Sequence, residues 1–317
     1  MQQLLHIGKD KTSFLKQPIQ QQKMARGILL FMSTFLALSN GYHVLFVHTA
    51  GTKSHLIVMK PVVEELLARN HQVTSVFFNT LKIDHANYTE IVIPSTMDEM
   101  YAAMSRRLMK EGGNIMNPST WLWAYSFFKE KMKDMALEVL SKEVIELMKA
   151  KPKIDTMLTF NPGNAFFAEL FDCPVINFSP AGPIPMFMKG SGNVINHSVQ
   201  PYLGVPYLEP MTFLQRLSNH GIIFVGGYFL DWQTNAIFAY QKEYLNKFGI
   251  EVSHPDAILR ERISLVISSS HPITHGAWQY LPNVIEVRYI PVLGAPFQII
   301  EKAVSLKKKC QINETQF

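Results

Sequence analysis

The residue with the clearest capacity for chemistry is His55, which follows a glycine-bearing loop and stands at the start of an apolar-periodic run. A neutral imidazole accepts a proton near pH 7, so a histidine in this place is suited to general-base catalysis. The partial positive charge at a helix amino terminus disfavours imidazolium and helps to keep the ring neutral. The simpler interpretation is that His55 only caps a helix.

Residues 43–78 supply the elements that would position His55. The apolar stretch 43–48 predicts a strand, residues 56–69 predict an amphipathic helix, and residues 72–78 predict a second strand. This order indicates an α/β fold with a Rossmann-like, doubly wound parallel sheet. In such sheets ligands bind beyond the carboxyl ends of the strands, where the first loop turns into the first helix. His55 falls at that turn.

The rest of the chain continues the α/β pattern. Pro61 predicts that the first helix starts or bends there, and Asn70 is a plausible left-handed cap before the second strand. Further strands are expected at residues 90–93, 154–160, 174–178, 263–268 and 284–287, and helices within 95–151, 163–171 and 212–248, the last kinked or broken at Gly226-Gly227. The aromatic residues at 121–128 could line an apolar acceptor pocket, but packing of a helix in the core is the favoured interpretation.

Composition describes a chain with enough apolar material for a sizeable core. Of 317 residues, 47% are hydrophobic and 17% charged, and the net charge is +5. The basic residues are scattered apart from Lys307-Lys308-Lys309, so nucleic-acid binding is not expected. Two cysteines, Cys173 and Cys310, provide neither a disulfide scaffold nor a cysteine-based metal site, and Cys173 in its apolar run is expected to be a core residue.

The amino terminus has the features of a secretory signal. Residues 28–38 are apolar and too few to span a bilayer, and Ala37-Leu38-Ser39 fits a cleavage site. Met24 is a natural start, so residues 1–23 are expected to be an extension and residues 24–39 a signal peptide. Glycosylation sequons at Asn87, Asn196 and Asn313 agree weakly with this route.

Several segments, in order, resemble the amino-terminal half of the UDP-glycosyltransferases, especially the insect members. They are Lys53-Ser54-His55 after the first strand, Asn70-His71-Gln72-Val73-Thr74, residues 167–175, His271-Pro272-Ile273 and residues 281–287. The family usually has Gly where this chain has Asn70. The resemblance covers about residues 41–288, so residues 40–288 are expected to form an acceptor-binding domain, followed by a divergent tail at 289–317.

The resemblance implies a two-domain transferase in which the first domain binds the acceptor and the second binds a UDP-sugar. It implies that His55 takes the proton from an acceptor hydroxyl, which attacks the anomeric carbon with inversion. Acceptor contacts are expected from Gly51, Lys53, Ser54, Phe160, Asn161 and Ser179. The acceptor is expected to be small, lipophilic and hydroxylated, with the UDP-sugar as co-substrate. No cofactor or metal is expected, and the implied location is the lumen or membrane of the endoplasmic reticulum.

The chain departs from the family in two respects. The family orients its histidine with a carboxylate that follows the fourth strand. In this chain the matching position falls near Leu158, where there is no acid, and the nearest carboxylate, Asp155, comes several residues too early. Asn161 could orient the ring in part. The segments that grip the UDP-sugar and the carboxyl-terminal membrane anchor are not found before Phe317. Impaired transfer is therefore expected, and the alternative is a non-catalytic luminal protein that binds apolar ligands or pairs with a full-length transferase.

Overall fold

The structure describes most of the chain between residues 41 and 287. The computed structural model describes residues 41–49, 53–110, 118–179, 182, 188, 190–193, 196–202, 205, 207, 210–270 and 280–287. The chain divides into two units, Met1–Gly41 and Tyr42–Phe317, and nearly all described residues belong to the second. The expected extension (1–23), signal peptide (24–39) and divergent tail (289–317) lie outside the described residues and remain predictions.

Seven parallel strands form the central sheet, in the order β3-β2-β1-β4-β5-β6-β7. The inner strands β1, β4 and β5 are buried along almost their whole length, as expected for a parallel sheet covered on both faces. This confirms the predicted α/β, Rossmann-like fold. The strands are β1 His43–His48, β2 Gln72–Phe77, β3 Tyr88–Val92, β4 Thr156–Thr159, β5 Val175–Ser179, β6 Ile263–Ser268 and β7 Val284–Glu286.

Seven described helices flank this sheet or connect its strands. They are α1 Lys53–Ala68, α2 Thr96–Lys110, α3 Pro118–Glu138, α4 Lys142–Ala150, α5 Phe166–Leu170, α6 Phe213–Asn246 and α7 Pro255–Arg262, with a 3-10 turn at Pro162–Asn164. The apolar stripe of α1 is buried, because Met59, Val63 and Leu66 face the core. Asn70 follows α1 with φ of 64°, which confirms the predicted left-handed residue.

Two helix boundaries differ from the sequence expectation. Helix α1 begins at Lys53 and continues through Pro61, so a start at Pro61 was wrong. Helix α6 runs without a break through Gly226-Gly227, so of the two alternatives, a kink or a break, the break was wrong. Its aromatic contacts with α3 explain the continuity: ring centroids of Tyr125 and Trp232 lie 5.1 Å apart, and those of Phe128 and Phe229 lie 5.8 Å apart. Such packing outweighs the low helix propensity of glycine.

The hydrophobic core fills both faces of the sheet. Phe46, Phe77 and Phe166 are among its largest fully buried side chains, and Cys173 is buried in it, as predicted. Within the described residues, no helix combines the length and apolar composition needed to cross a membrane.

Candidate active site

The crevice between β1 and β4 is the point where the strand order of the sheet reverses. Val47 of β1 pairs with Thr159 of β4, so both strands end at the same edge. Chain segments leaving two such strands diverge, one toward each face, and leave a crevice in which α/β proteins bind ligands. His55 reaches this crevice from the first turn of α1.

A cavity of about 620 Å³ occupies the crevice. This is large enough for a small organic molecule. Most of its wall is apolar: Met97, Met100, Tyr101, Phe128, Met135, Val139, Phe160, Pro162, Leu230, Ile237, Phe238, Pro255 and Leu259. The polar lining residues are Thr49, His55, Glu138, Asn161, Asn164, Asp231, Gln233, Thr234, Gln241 and Asp256.

The His55 ring is half-buried on the cavity wall between two other rings. Its centroid lies 4.9 Å from that of Phe160 and 5.8 Å from that of His48. Burial lowers the pKa of His55 below its usual value of 6.5, because a charged imidazolium loses more hydration than the neutral ring. At pH 7 the ring is therefore in the form that accepts a proton.

Hydrogen bonds fix the loops around this ring. The buried Asn164 amide donates to Thr49 Oγ1 at 2.9 Å and ties the loop after β4 to the end of β1. Asn161 Oδ1 accepts from the Gly163 amide at 2.9 Å and caps the 3-10 turn. The Asn161 carbonyl accepts from Thr159 Oγ1 at 2.9 Å. These bonds hold Phe160 and Asn161 at the cavity, so the wall is built before any ligand enters.

The structure brings some of the expected site residues together and not others. His55, Phe160 and Asn161 line one cavity. Gly51 and the side chains of Lys53 and Ser54 lie outside the described residues. Ser179 is fully buried at the end of β5, where its hydroxyl donates to the Gly182 carbonyl, and it is not part of the described cavity wall.

Leu158, near which sequence matching put the orienting acid, is not part of the described cavity wall, whereas Phe160 is. Leu158 lies within β4, paired with Phe46 and 2% exposed, so it faces the core. The ring of Phe160, two residues later, contacts His55. Asp155 is at the opposite edge of the sheet, as expected from its early position, and its Oδ2 accepts from the His43 amide at 2.8 Å.

Replacing Phe160 with Asp tests whether the side chain at this position lies close enough to His55 to change its pKa. A carboxylate at this position would favour the imidazolium, so we expect the pKa of His55 to rise by about one unit or more. Phe160→Asn removes the same ring without adding charge and serves as the control. NMR titration of the His55 ring protons measures both, and equal pKa values in the two variants would contradict the contact.

Sequence reasoning missed the part of the cavity wall that the second half of the chain contributes. It is formed by α6, whose residues Gly227, Leu230, Thr234, Phe238 and Gln241 recur at helical spacing, and by the start of α7. The helical period of α6 was visible, but the sequence does not show that α6 returns to the β1–β4 crevice.

Glu138 was also missed. Burial raises the pKa of its carboxyl, although Thr96 donates to it through its amide and hydroxyl.

A second missed residue is His48, the last residue of β1. Its side chain is 0% exposed, and within the described structure neither ring nitrogen has a hydrogen-bond partner. The rings of Phe78 and Phe160 pack against it at centroid distances of 5.2 and 4.7 Å. Burial lowers the pKa of His48 to about 3, with a smaller contribution from His55. The sequence signal that could have identified His48 is a histidine at the end of an otherwise apolar strand.

The chain was compared with protein-family models, with curated proteins and with solved structures, and each comparison found glycosyltransferases. Residues 43–287 match the family model described as UDP-glucoronosyl and UDP-glucosyl transferase. Two UDP-glycosyltransferases of Dactylopius coccus, UGT5 and UGT4, are 26% and 24% identical, over 87% and 84% of this chain and 53% and 52% of their own lengths. The chain thus spans about half the length of these curated relatives.

The crystal structure of the calicheamicin glycosyltransferase CalG4 is also similar, with a TM-score of 0.36, 13% identity and coverage of 78% of this chain and 53% of that chain. The family model covers well over half of the residues, from the first strand to the last. The chain belongs to the UDP-glucuronosyl and UDP-glucosyl transferase family, the UDP-glycosyltransferases.

Proposed function

We propose that this chain supplies the acceptor-binding half of a transferase that moves a hexosyl group from a UDP-sugar to a hydroxyl of a small lipophilic acceptor. The observation that carries the proposal is His55, a neutral base on the wall of a mostly apolar cavity at the β1–β4 crevice. An apolar acceptor fits a mostly apolar wall, and a polar group on that wall directs its hydroxyl.

The proposed chemistry requires one proton acceptor beside the reacting hydroxyl. A ring nitrogen of His55 takes the hydroxyl proton as the oxygen attacks the anomeric carbon of the sugar. The bond from that carbon to the diphosphate breaks, UDP leaves with the electron pair, and the configuration inverts. The apolar side chains around His55 exclude water, which strengthens the hydrogen bond from the acceptor and limits hydrolysis of the UDP-sugar.

Thermal shift and product analysis test this proposal together. We expect 1-naphthol to raise the melting temperature of the chain, since a ligand that binds the folded state stabilises it. We also expect the protein that carries this chain to form naphthyl glucoside from 1-naphthol and UDP-glucose, detected by mass spectrometry. 1-Methoxynaphthalene, which has no hydroxyl to deprotonate, is the matched control and should give no glucoside.

The alternative is a non-catalytic protein that binds apolar ligands. The contact of His55 with Phe160 favours it, because a phenyl ring supplies no carboxylate that could orient the imidazole. A thermal shift with 1-naphthol, combined with no shift at millimolar UDP-glucose and no glucoside, would favour this alternative. No shift with either compound would contradict both functions.

We also propose that the protein enters the secretory pathway, as a luminal or membrane-associated component of the endoplasmic reticulum. The apolar stretch at residues 28–38 and the sequons support this proposal, and Asn196 of the second sequon is exposed. Association with full-length members of the family belongs to the same proposal. Mass spectrometry of tryptic peptides checks the proposed start at Met24, because a recovered peptide from residues 1–23 would contradict it.

A further inference from the structure

The sequon Asn196-His197-Ser198 forms an exposed turn whose backbone is held by hydrogen bonds. Asn196 and Ser198 are both exposed. The Asn196 amide donates to Gln200 Oε1 at 3.2 Å, and the Gln200 amide donates to the Asn196 carbonyl at 3.0 Å. The fully buried Asn219 of α6 donates through Nδ2 to the carbonyls of His197 and Gln200 at 2.8 and 3.0 Å. The turn is therefore anchored to α6 while the Asn196 side chain stays accessible.

The side chain of Asn196 is arranged for reaction at its amide nitrogen. Its Oδ1 accepts a hydrogen bond from the Ser198 amide at 3.2 Å, which closes an Asx turn. A donor on the amide oxygen draws electron density toward that oxygen and makes the Nδ2 proton easier to remove. Within the described structure Nδ2 has no hydrogen-bond partner. The nitrogen is therefore open to the attachment of a bulky sugar.

The sequon Asn87-Tyr88-Thr89 lies in a different environment. Asn87 is half-buried, and its Nδ2 donates to Asn70 Oδ1 at 3.3 Å. Its carbonyl accepts from the Val73 amide at 2.9 Å. Tyr88 and Thr89 are paired within β3, so the backbone after Asn87 is extended. Both the amide nitrogen and the backbone of this sequon take part in the fold, and the finished fold leaves less room for a sugar.

We propose that Asn196 carries an N-linked oligosaccharide in the folded protein and that Asn87 does not. This inference rests on the proposed entry into the secretory pathway and names the site that is modified there. The co-reactant is a lipid-linked oligosaccharide diphosphate, used by a membrane transferase of the host cell. Nδ2 gives its proton to a basic group of that enzyme and forms a bond to the anomeric carbon of the first sugar. The bond from that carbon to the diphosphate breaks, and the lipid diphosphate leaves with the electron pair.

Site-specific mass spectrometry of the full chain, expressed in insect cells, tests the inference. Enzymatic removal of N-linked sugars in heavy-oxygen water converts a modified asparagine into a labelled aspartate. The tryptic peptides 83–106 and 190–216 each contain one sequon, so they report on the two sites separately. We expect the label in peptide 190–216 and none in peptide 83–106. A second form, with a strong secretion signal fused before Met1, supplies entry to the lumen independently of the chain's own signal.

Substitutions beside Asn196 separate the sequon from its surroundings. Ser198→Ala removes the hydroxyl that the sequon requires but keeps the backbone amide that bonds to Asn196, so the label should be lost. Ser198→Thr keeps a hydroxyl and should keep the label. Val199→Ala, at an exposed position just outside the sequon, is the matched control and should also keep it.

Each outcome decides the inference. An unlabelled Asn196 in the fused form would overturn it, and so would a label at Asn87 in either form. A label that persists in Ser198→Ala would assign it to a residue other than Asn196, with the same conclusion. A label at Asn196 in the fused form, with none at any sequon of the natural chain, would contradict entry into the secretory pathway, and modification of the natural protein would fail with it. The proposed sugar transfer stands or falls separately, on the acceptor cavity.

Discussion

Replacing His55 with Gln is expected to lower the rate of sugar transfer to a phenol by about 10²–10⁴-fold, the usual contribution of a positioned general base. Glutamine keeps a polar side chain of similar size on the cavity wall but cannot take up a proton. Binding of the phenol should change much less than the rate, because the apolar wall supplies most of the contact. The measurement is the release of UDP from UDP-glucose by the protein that carries this chain.

The pH profile supplies a second readout of the same prediction. Burial lowers the pKa of His55 below 6.5, so the ring stays neutral and active as the pH falls through 6.5. The acid side of the profile for kcat/KM should therefore have its midpoint below pH 6.5. His85→Gln, at an exposed position in the β2–β3 loop, is the control and should leave both rate and profile unchanged. A His55→Gln variant with the original rate would assign the base to another group.

Acidification is expected to destabilise the fold through His48. In the folded protein burial holds the pKa of this residue at about 3, whereas the unfolded chain has a value near 6.5. Between these two values the unfolded state binds a proton that the folded state excludes, so stability is lost as the pH falls. From His48 alone we expect a loss of about 3 kcal/mol in the free energy of unfolding between pH 7 and pH 4.

The variant His48→Phe isolates this effect. Phenylalanine fills the place of the imidazole among the rings of Phe77, Phe78 and Phe160. It also removes two buried nitrogens that have no partner among the described residues. We expect a variant at least as stable at pH 7 and clearly more stable at pH 4. Urea unfolding at pH 7, 6, 5 and 4 gives the comparison, with His85→Phe as the control. Parallel curves for the unmodified chain and His48→Phe would show that His48 is not the residue that titrates.

The fold was predictable where short-range patterns decide it. The strand, loop and helix around His55 follow from hydrophobic periodicity, and the φ of Asn70 follows from its place between a helix and a strand. The errors at Pro61 and Gly226-Gly227 have a common cause, because both predictions used local propensity. At the glycines, packing of α6 against the aromatic residues of α3 overrides it.

The site was predictable on one side only. His55 and Phe160 follow strands that the sequence reveals, and the crossover rule for parallel sheets places strand ends at one edge. Gln241, which lines the same cavity, lies 186 positions after His55, and its presence there depends on the path of the intervening chain. His48 was overlooked for a different reason. Its buried ring has no hydrogen-bond partner among the described residues, and that property depends on the three-dimensional surroundings of the ring.

The structure of the chain with bound 1-naphthol tests the central claim most directly. The account predicts that the naphthalene ring lies in the cavity between Phe160 and α6, with its hydroxyl oxygen about 3 Å from a ring nitrogen of His55. A naphthol bound at another surface, or bound in the cavity with its hydroxyl directed away from His55, would contradict the account.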